Sequence, residues 1–397
     1  MKLKATALVY AIYVCLLIST LTYAFIFLAS SQDLLFDKVD QENSLLQKAK
    51  NAFLYLKKNP ESTLTELPDG CTAQLKPWGA FSVLEIIATH QNDSLQDYYM
   101  LANRPLDSTV FYLPKSKHPL QVSGATKVNG LVYIPDAKYK IVNLKSNQYK
   151  EIPQLKVTKR IAGLQLPEIK IPKVELTQMD YQYFEPTADI SSYFNAFRAT
   201  TKVIYDQISI RLGAVDYKGN FLIISDQEVR ISNTTQLTDV IVVAPIVRIE
   251  NGFKGSLQIF ANALIDIGDS VRLEYPSTIT MFEENPLITP QLRMGTETYF
   301  NGNIIVITTD NEHKTAIQID EKSQVNGHIY CKGILDNSTK VNGSIFANKL
   351  RKQTAYNSYT NTLYDTHLKN ELPSNFVGLE FITDTIVHEK VFLKKVW

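Results

Sequence analysis

Hydrophobic residues are arranged in three different ways along this chain. From Ala5 to Ser31 no side chain is charged, and the next charge after Lys4 is Asp33. As a helix rising 1.5 Å per residue, this run is about 40 Å long, enough to cross a bilayer with some tilt. Beyond it the apolar positions become periodic. Leu35, Val39, Leu46, Ala49, Phe53 and Leu56 fall at alternating spacings of four and three, with Glu42 the single breach. The spacing predicts an amphipathic helix that continues out of the apolar run until Asn59-Pro60 stops it. Past Pro60 the helical period disappears. Short apolar-alternating runs bounded by Gly, Pro, Asn and Asp replace it, the pattern of β-strands.

Within that β-rich part, Trp78 to Ala88 and Tyr98 to Ala102 read as a strand pair around the polar turn Gln91-Asn92-Asp93. Thr109 to Leu113, Leu131 to Ile134 and Thr201 to Tyr205 read as further strands, and Ile190 to Ala199 as a short helix. Between Ile141 and Leu176 the prolines at 153, 167 and 172 restrict the chain to edge strands or extended connections.

The β pattern also repeats. Thr126-Lys127-Val128-Asn129-Gly130-Leu131-Val132-Tyr133-Ile134 recurs as Thr339-Lys340-Val341-Asn342-Gly343-Ser344-Ile345-Phe346-Ala347, and again as Ser323-Gln324-Val325-Asn326-Gly327-His328-Ile329-Tyr330-Cys331. A second element recurs as Val229-Arg230-Ile231, Val247-Arg248-Ile249, Val271-Arg272-Leu273 and Ile317-Gln318-Ile319. Each places an outward polar residue between two inward apolar ones. Coils of about 20 residues, with Asn-Gly supplying positive φ at a corner, predict a parallel β-solenoid (β-helix). Antiparallel hairpins built on Asn-Gly turns are the alternative. The expected organisation is mainly β: a transmembrane anchor at 1–32, an amphipathic stalk at 33–60, a β-rich domain at 61–215, the solenoid at 216–350 and a C-terminal cap at 351–397.

Charge adds a direction to this picture. Lys2 and Lys4 precede the apolar run, and Asp33, Asp37, Asp40 and Glu42 follow it with only Lys38. Basic residues on the short side favour a cytoplasmic N-terminus, so the bulk of the chain is expected outside the inner (cytoplasmic) membrane. A cleaved signal peptide is the alternative, but its apolar core spans about 7–15 residues. The partner of Ala5 to Ser31 is then the lipid bilayer. The seam of Leu35, Val39, Leu46, Ala49, Phe53 and Leu56 serves either the chain's own globular part or a partner helix. Over the whole chain, 41 Lys and Arg balance 40 Asp and Glu, which removes a general pull on nucleic acid.

A basic leader, a long apolar helix, an amphipathic extension and a β-rich head together resemble the layout of type IV pilins and pseudopilins, over about the first 60 residues. The run lacks the family's Gly before the mature N-terminus and its Glu five residues in. The resemblance therefore implies a pilin-like or pilus-associated anchor rather than a major pilin, with helical envelope partners or self-assembly. The repeats over about Gly219 to Leu350 are similar in composition to the solenoids of bactofilin-like polymer-forming proteins.

Chemistry is sparse. The 6 histidines form no local ligand pair, and the 3 cysteines leave only Cys71 and Cys331 outside the apolar run. No Walker glycine run, dinucleotide fingerprint, His-Glu-x-x-His or Gly-x-Ser-x-Gly elbow occurs. Ile267-Gly268-Asp269-Ser270-Val271 resembles one turn of a hexapeptide acyltransferase helix, in which His328 would be the candidate base. Asp310, Asp320, Glu321, Glu283 and Glu284 are the carboxylates available to a carbohydrate-cleaving β-helix. All of these positions also suit surface polarity and turns. The reading is an envelope component of structural or assembly function, with no catalytic residue, cofactor, metal or small-molecule substrate. A membrane-tethered carbohydrate-binding or carbohydrate-cleaving protein is the alternative.

Overall fold

The computed structural model describes residues 5–59, 67–90, 93–105, 108–144, 152–187, 189–310, 312–354, 357–382 and 388–396. The chain is mainly β, with one long N-terminal helix. It divides into two compact units, one made of Met1–Gln74 with Ile86–Asp97 and the other of Leu75–Glu85 with Tyr98–Trp397.

In the first unit a single helix runs unbroken over Ala5–Lys58. Nothing in its sequence interrupts the backbone ladder: no Pro or Gly occurs, and Lys57 and Lys58 in the last turn oppose the negative end of the helix dipole. The Asn59 N–H and side-chain amide both donate to the Tyr55 carbonyl and close the C-terminus. Pro60 and the turn at Gln91-Asn92 lie outside the described residues. Farther along, Lys48 Nζ donates to the Thr89 carbonyl at 3.1 Å, and the helix touches the short turn Pro68–Gly70. Cys71 is free and buried there, and burial followed by the nearby Asp69 pushes its thiol pKa up.

The second unit is organised by parallel strands, each hydrogen-bonded to a strand one repeat away. One ladder joins Ser209–Leu212, Glu228–Ile231, Ile246–Ile249, Leu264–Ile267 and Gln291–Met294, and continues through Thr315–Ile319. Its register stacks Ile210, Val229, Val247, Ile265, Leu292 and Ile317 in one column. A second ladder stacks Ile204, Ile223, Val242, Ile259, Ile279, Ile304, Ile329 and Ile345. All of these side chains are buried. Full burial of each Ile or Val contributes about 1.5–3 kcal/mol, and β-branched side chains fill a pleated column well. The Val-Arg-Ile elements are thus strands, with the arginine outward and the flanking residues in the core.

The ladder extends on both sides of residues 216–350. Ser192–Asn195 pairs in parallel with Asp216–Gly219, with Tyr193 stacked on Tyr217. The short helix expected over 190–199 is therefore replaced by a strand, because pairing to an existing strand edge outweighs weak local helix propensity. At the other end, Ile345 and Phe346 pair with Phe111 and Tyr112, and these pair with Val132 and Tyr133. Lys127–Ile134 then pairs with Gln154–Ile161, which is mostly exposed, as expected of an edge strand among the prolines. Residues 109–161 thus continue the ladder beyond residues 340–369. The C-terminal segment contributes directly: His367–Lys369 lies between Lys340–Gln353 and Lys127–Ile134. The last strand, His388–Val396, runs antiparallel to residues 98–105.

Asn-Gly recurs at one register position inside successive strands. Gly302, Gly327 and Gly343 have φ of +149°, +144° and +149° and sit in register on one another. A Cβ on Gly327 would lie 1.7 Å from the Gly302 carbonyl oxygen. The preceding asparagines form their own ladder, in which Asn326 Nδ2 donates to Asn301 Oδ1 at 2.7 Å and Asn301 Nδ2 to the Leu273 carbonyl at 3.1 Å. The repeat therefore conserves space as well as backbone conformation. Replacing Gly327 by Ala is expected to cost more than about 3 kcal/mol, from positive-φ strain plus collision with the strand beneath. Thermal and urea unfolding of the detergent-solubilised variant measure it; an unchanged midpoint would contradict the stacking.

Candidate functional site

The N-terminal helix is the candidate site, and burial divides it. From Leu8 to Leu28 the large apolar side chains stand fully outward, and the window is apolar enough to cross a membrane. Among the described residues nothing covers that surface, and lipid is the solvent that suits it.

Toward its C-terminal end the helix becomes partly buried. Leu45, Ala49, Ala52 and Leu56 are each no more than 4% exposed and fall at spacings of four, three and four. Of the six residues assigned to the expected seam, Ala49 and Leu56 belong to this buried stripe and Phe53 is half-buried beside it. Leu35, Val39 and Leu46 are exposed by 63%, 51% and 52%. At about 100° per residue, the buried stripe is rotated about 60° from the seam the large residues suggested. The small side chains explain the rotation: Ala49 and Ala52 let the helix backbone approach its neighbours closely, and Leu45 and Leu56 flank them. Leu45 and Ala52 were legible only as a stripe mixing small and large residues. With Leu34 and Phe36, also exposed, Leu35, Val39 and Leu46 leave an uncovered apolar surface beyond the membrane-length run.

Of the carboxylates that a carbohydrate enzyme would use, Glu283, Asp310 and Asp320 are held by donors at turns. Glu283 and Asp310 come together at the ends of adjacent strands, but their oxygens are already engaged. Glu283 Oε2 accepts from the Thr308 hydroxyl at 2.7 Å and the Thr309 N–H at 2.6 Å. Asp310 Oδ1 accepts the N–H groups of Glu312 and His313, and Oδ2 that of Lys314. These donors stabilise the charged forms, so both carboxyls are held below their usual range, Asp310 far below it. Asp320 accepts the Lys322 N–H in another turn, and Glu284 accepts from Asn262. Among the described residues, no group of three or more His, Cys, Asp and Glu side chains converges as a metal site would require.

His328 sits in a polar column. In register it follows Asn303 and precedes Ser344, and its Nδ1 lies 2.7 Å from Ser344 Oγ. Burial, then the Arg104 cation, lowers its pKa from 6.5 to about 4. The imidazole is thus neutral at physiological pH and bonded along the ladder. Cys331, three residues on, is also free and buried, and burial pushes its thiol pKa far up, which removes it as a nucleophile.

No protein-family model, curated protein or solved structure matches the chain.

The histidine sets a pH dependence. Unfolded His328 binds a proton below pH 6.5 while the folded form does not until about pH 4, so stability present above 6.5 is lost as pH falls toward 4. The loss reaches ~3 kcal/mol at most. Urea midpoints at pH 7.5 and 4.5 should differ less in His328→Gln than in the parent; an identical difference would show that other groups carry it.

Proposed function

We propose that this chain is a single-pass, membrane-anchored structural or assembly component of a cell envelope, pilin-like in layout, with a cytoplasmic N-terminus and a parallel β-solenoid held on the far side. The observation that carries the reading is the continuity of the helix. The uncovered run from Leu8 to Leu28 leads without a break into a segment whose Leu35, Val39 and Leu46 are also exposed. A helix needed only to tether a domain has no use for large apolar side chains beyond the bilayer, because water penalises each by about 1.5–3 kcal/mol. A partner helix, from a second copy or from another envelope protein, would remove that penalty.

The β-rich part supports a role that depends on rigidity. Parallel pairing at a near-constant register, columns of stacked Ile and Val, and stacked positive-φ glycines are the features of a solenoid coil. Glu283, Asp310 and Asp320 are bound by donors at turns and Glu228 and Asp266 by arginines, which favours a presented surface over a cleaving active site.

Two measurements test this. Mass spectrometry of membrane-extracted protein should find the N-terminal peptide through Lys4 retained, with protease added from outside digesting the β-rich part; loss of the peptide would replace the anchor with a processed leader. In a Cys15→Ser background, Val39→Cys and Leu46→Cys should crosslink in native membranes to a second helix. Monomer alone at both positions would remove the assembly role.

A further inference from the structure

Two polar columns run along the parallel ladders, and their charges are neutralised in different ways. In the first, Arg211, Arg230, Arg248, Asp266, Arg293 and Gln318 are in register. Carboxylates are interleaved with these arginines. Arg230 Nε lies 2.7 Å from Glu228 Oε1, and Arg248 bridges the same oxygen at 3.1 Å and Asp266 Oδ2 at 2.9 Å. Arg211 faces Glu250 at 3.7 Å. This is how the fold handles cations that serve only the structure.

The second column has no such balance. It runs Lys254, Arg272, Tyr299, Gln324, Lys340, His367, Lys127, Gln154 in register, without an acid. Arg272 is accommodated over the Tyr299 ring, 5.2 Å from its centroid. Lys340, His367 and Lys127 then follow on consecutive rungs, about 4.8 Å apart. Lys369 and Lys156 stand in register with the neighbouring Asn342 and Asn129. These five basic side chains line one cavity of about 410 Å³, floored by Val128, Val341 and Leu368. Lys369 is paired with Glu371. Among the described residues, Lys127, Lys156, Lys340 and His367 have no carboxylate within ion-pair distance. Lys340 and Lys127 thus stand two rungs apart with His367 between them, and among the described residues no carboxylate pairs with either. In the arginine column the same scaffold sets a carboxylate beside Arg211, Arg230 and Arg248.

We propose that this cavity binds a multivalent anion, a molecule carrying two or more phosphate or carboxylate groups spaced by one or two rungs. Its oxygens accept hydrogen bonds from Lys127 and Lys340, with Lys156 and His367 beside them, and it supplies the negative charge that the column lacks. Contacts to two lysines on separate rungs make spacing, and not charge alone, the basis of selection.

The test is isothermal titration calorimetry on the full chain in nonionic detergent, with tripolyphosphate and trigalacturonate as phosphate and carboxylate probes and inorganic phosphate as the monovalent-site control. At least one polyanion should bind at one per chain, and inorganic phosphate should bind about tenfold more weakly or worse. The double substitution Lys127→Ala/Lys340→Ala should weaken the polyanion by about tenfold or more, while Lys127→Arg/Lys340→Arg and Arg230→Ala should leave it near the parent value. All three positions are exposed, and unchanged thermal midpoints without ligand would show that the variants fold. As a second reading, the polyanion should raise the thermal midpoint of the parent and not of the alanine pair. Absence of binding by both polyanions would overturn the proposal, as would equal weakening by Arg230→Ala, which would mean attraction to net charge alone.

Discussion

The β-rich part of this protein depends on one constraint: in a parallel ladder at constant register, every side chain lies directly over its counterpart one strand away. The separation is about 4.8 Å, close enough that neighbours in a column must be compatible. Most of the architecture follows. Isoleucine on isoleucine is favourable, so the inward columns are nearly pure Ile, Val and Leu. Asparagine on asparagine works when each amide donates to the one beneath, as Asn326 does to Asn301. Glycine on glycine is required where the backbones approach so closely that a Cβ would overlap a carbonyl oxygen.

Charge is the side-chain class that such stacking tolerates least, and the chain meets it in more than one way. Along the arginine column Glu228 and Asp266 together balance Arg230 and Arg248, with Glu228 bridging the two guanidiniums. Histidine in a polar column is handled by suppressing its charge: His328 stays neutral and bonds to Ser344. Acids at the turns are stabilised by backbone donors, as at Asp310, and so never enter the columns. Against this background, Lys340 and Lys127 stand out on physical grounds, two rungs apart on a column without an acid.

The periodic features of this structure were legible in the amino-acid order. The Val-Arg-Ile and Asn-Gly repeats located the strands, their inward and outward faces and the positive-φ glycines, because each depends on residues within one repeat. The membrane-length apolar run was equally plain. What was not legible depended on partners distant in sequence. The Ile190 to Ala199 stretch is a strand only because Asp216–Gly219 lies beside it. The buried stripe of the helix is set by what packs on Ala49 and Ala52, and a seam drawn through the largest side chains misses it. The carboxylates near Glu283 and Asp310 are turn residues because of N–H groups that no motif displays.

The placement of residues 109–161 has a consequence for timing. Thr109–Tyr112 and Lys127–Ile134 pair with strands drawn from residues 340–369, so the far end of the ladder is built from chain made early against a template made late. Strands from 192 onward can add one after another, each onto its predecessor, as they emerge. The earlier segment cannot join them until almost the entire chain is available, and such distant pairing is slow to form. Until then, Phe111 and Val132 can pair with one another, but the strand edges that meet Ile345 and Leu368 have no partner. A nascent chain tethered by its N-terminal helix would carry those edges unpaired for most of its synthesis, and the closing of the ladder is the last event in its assembly.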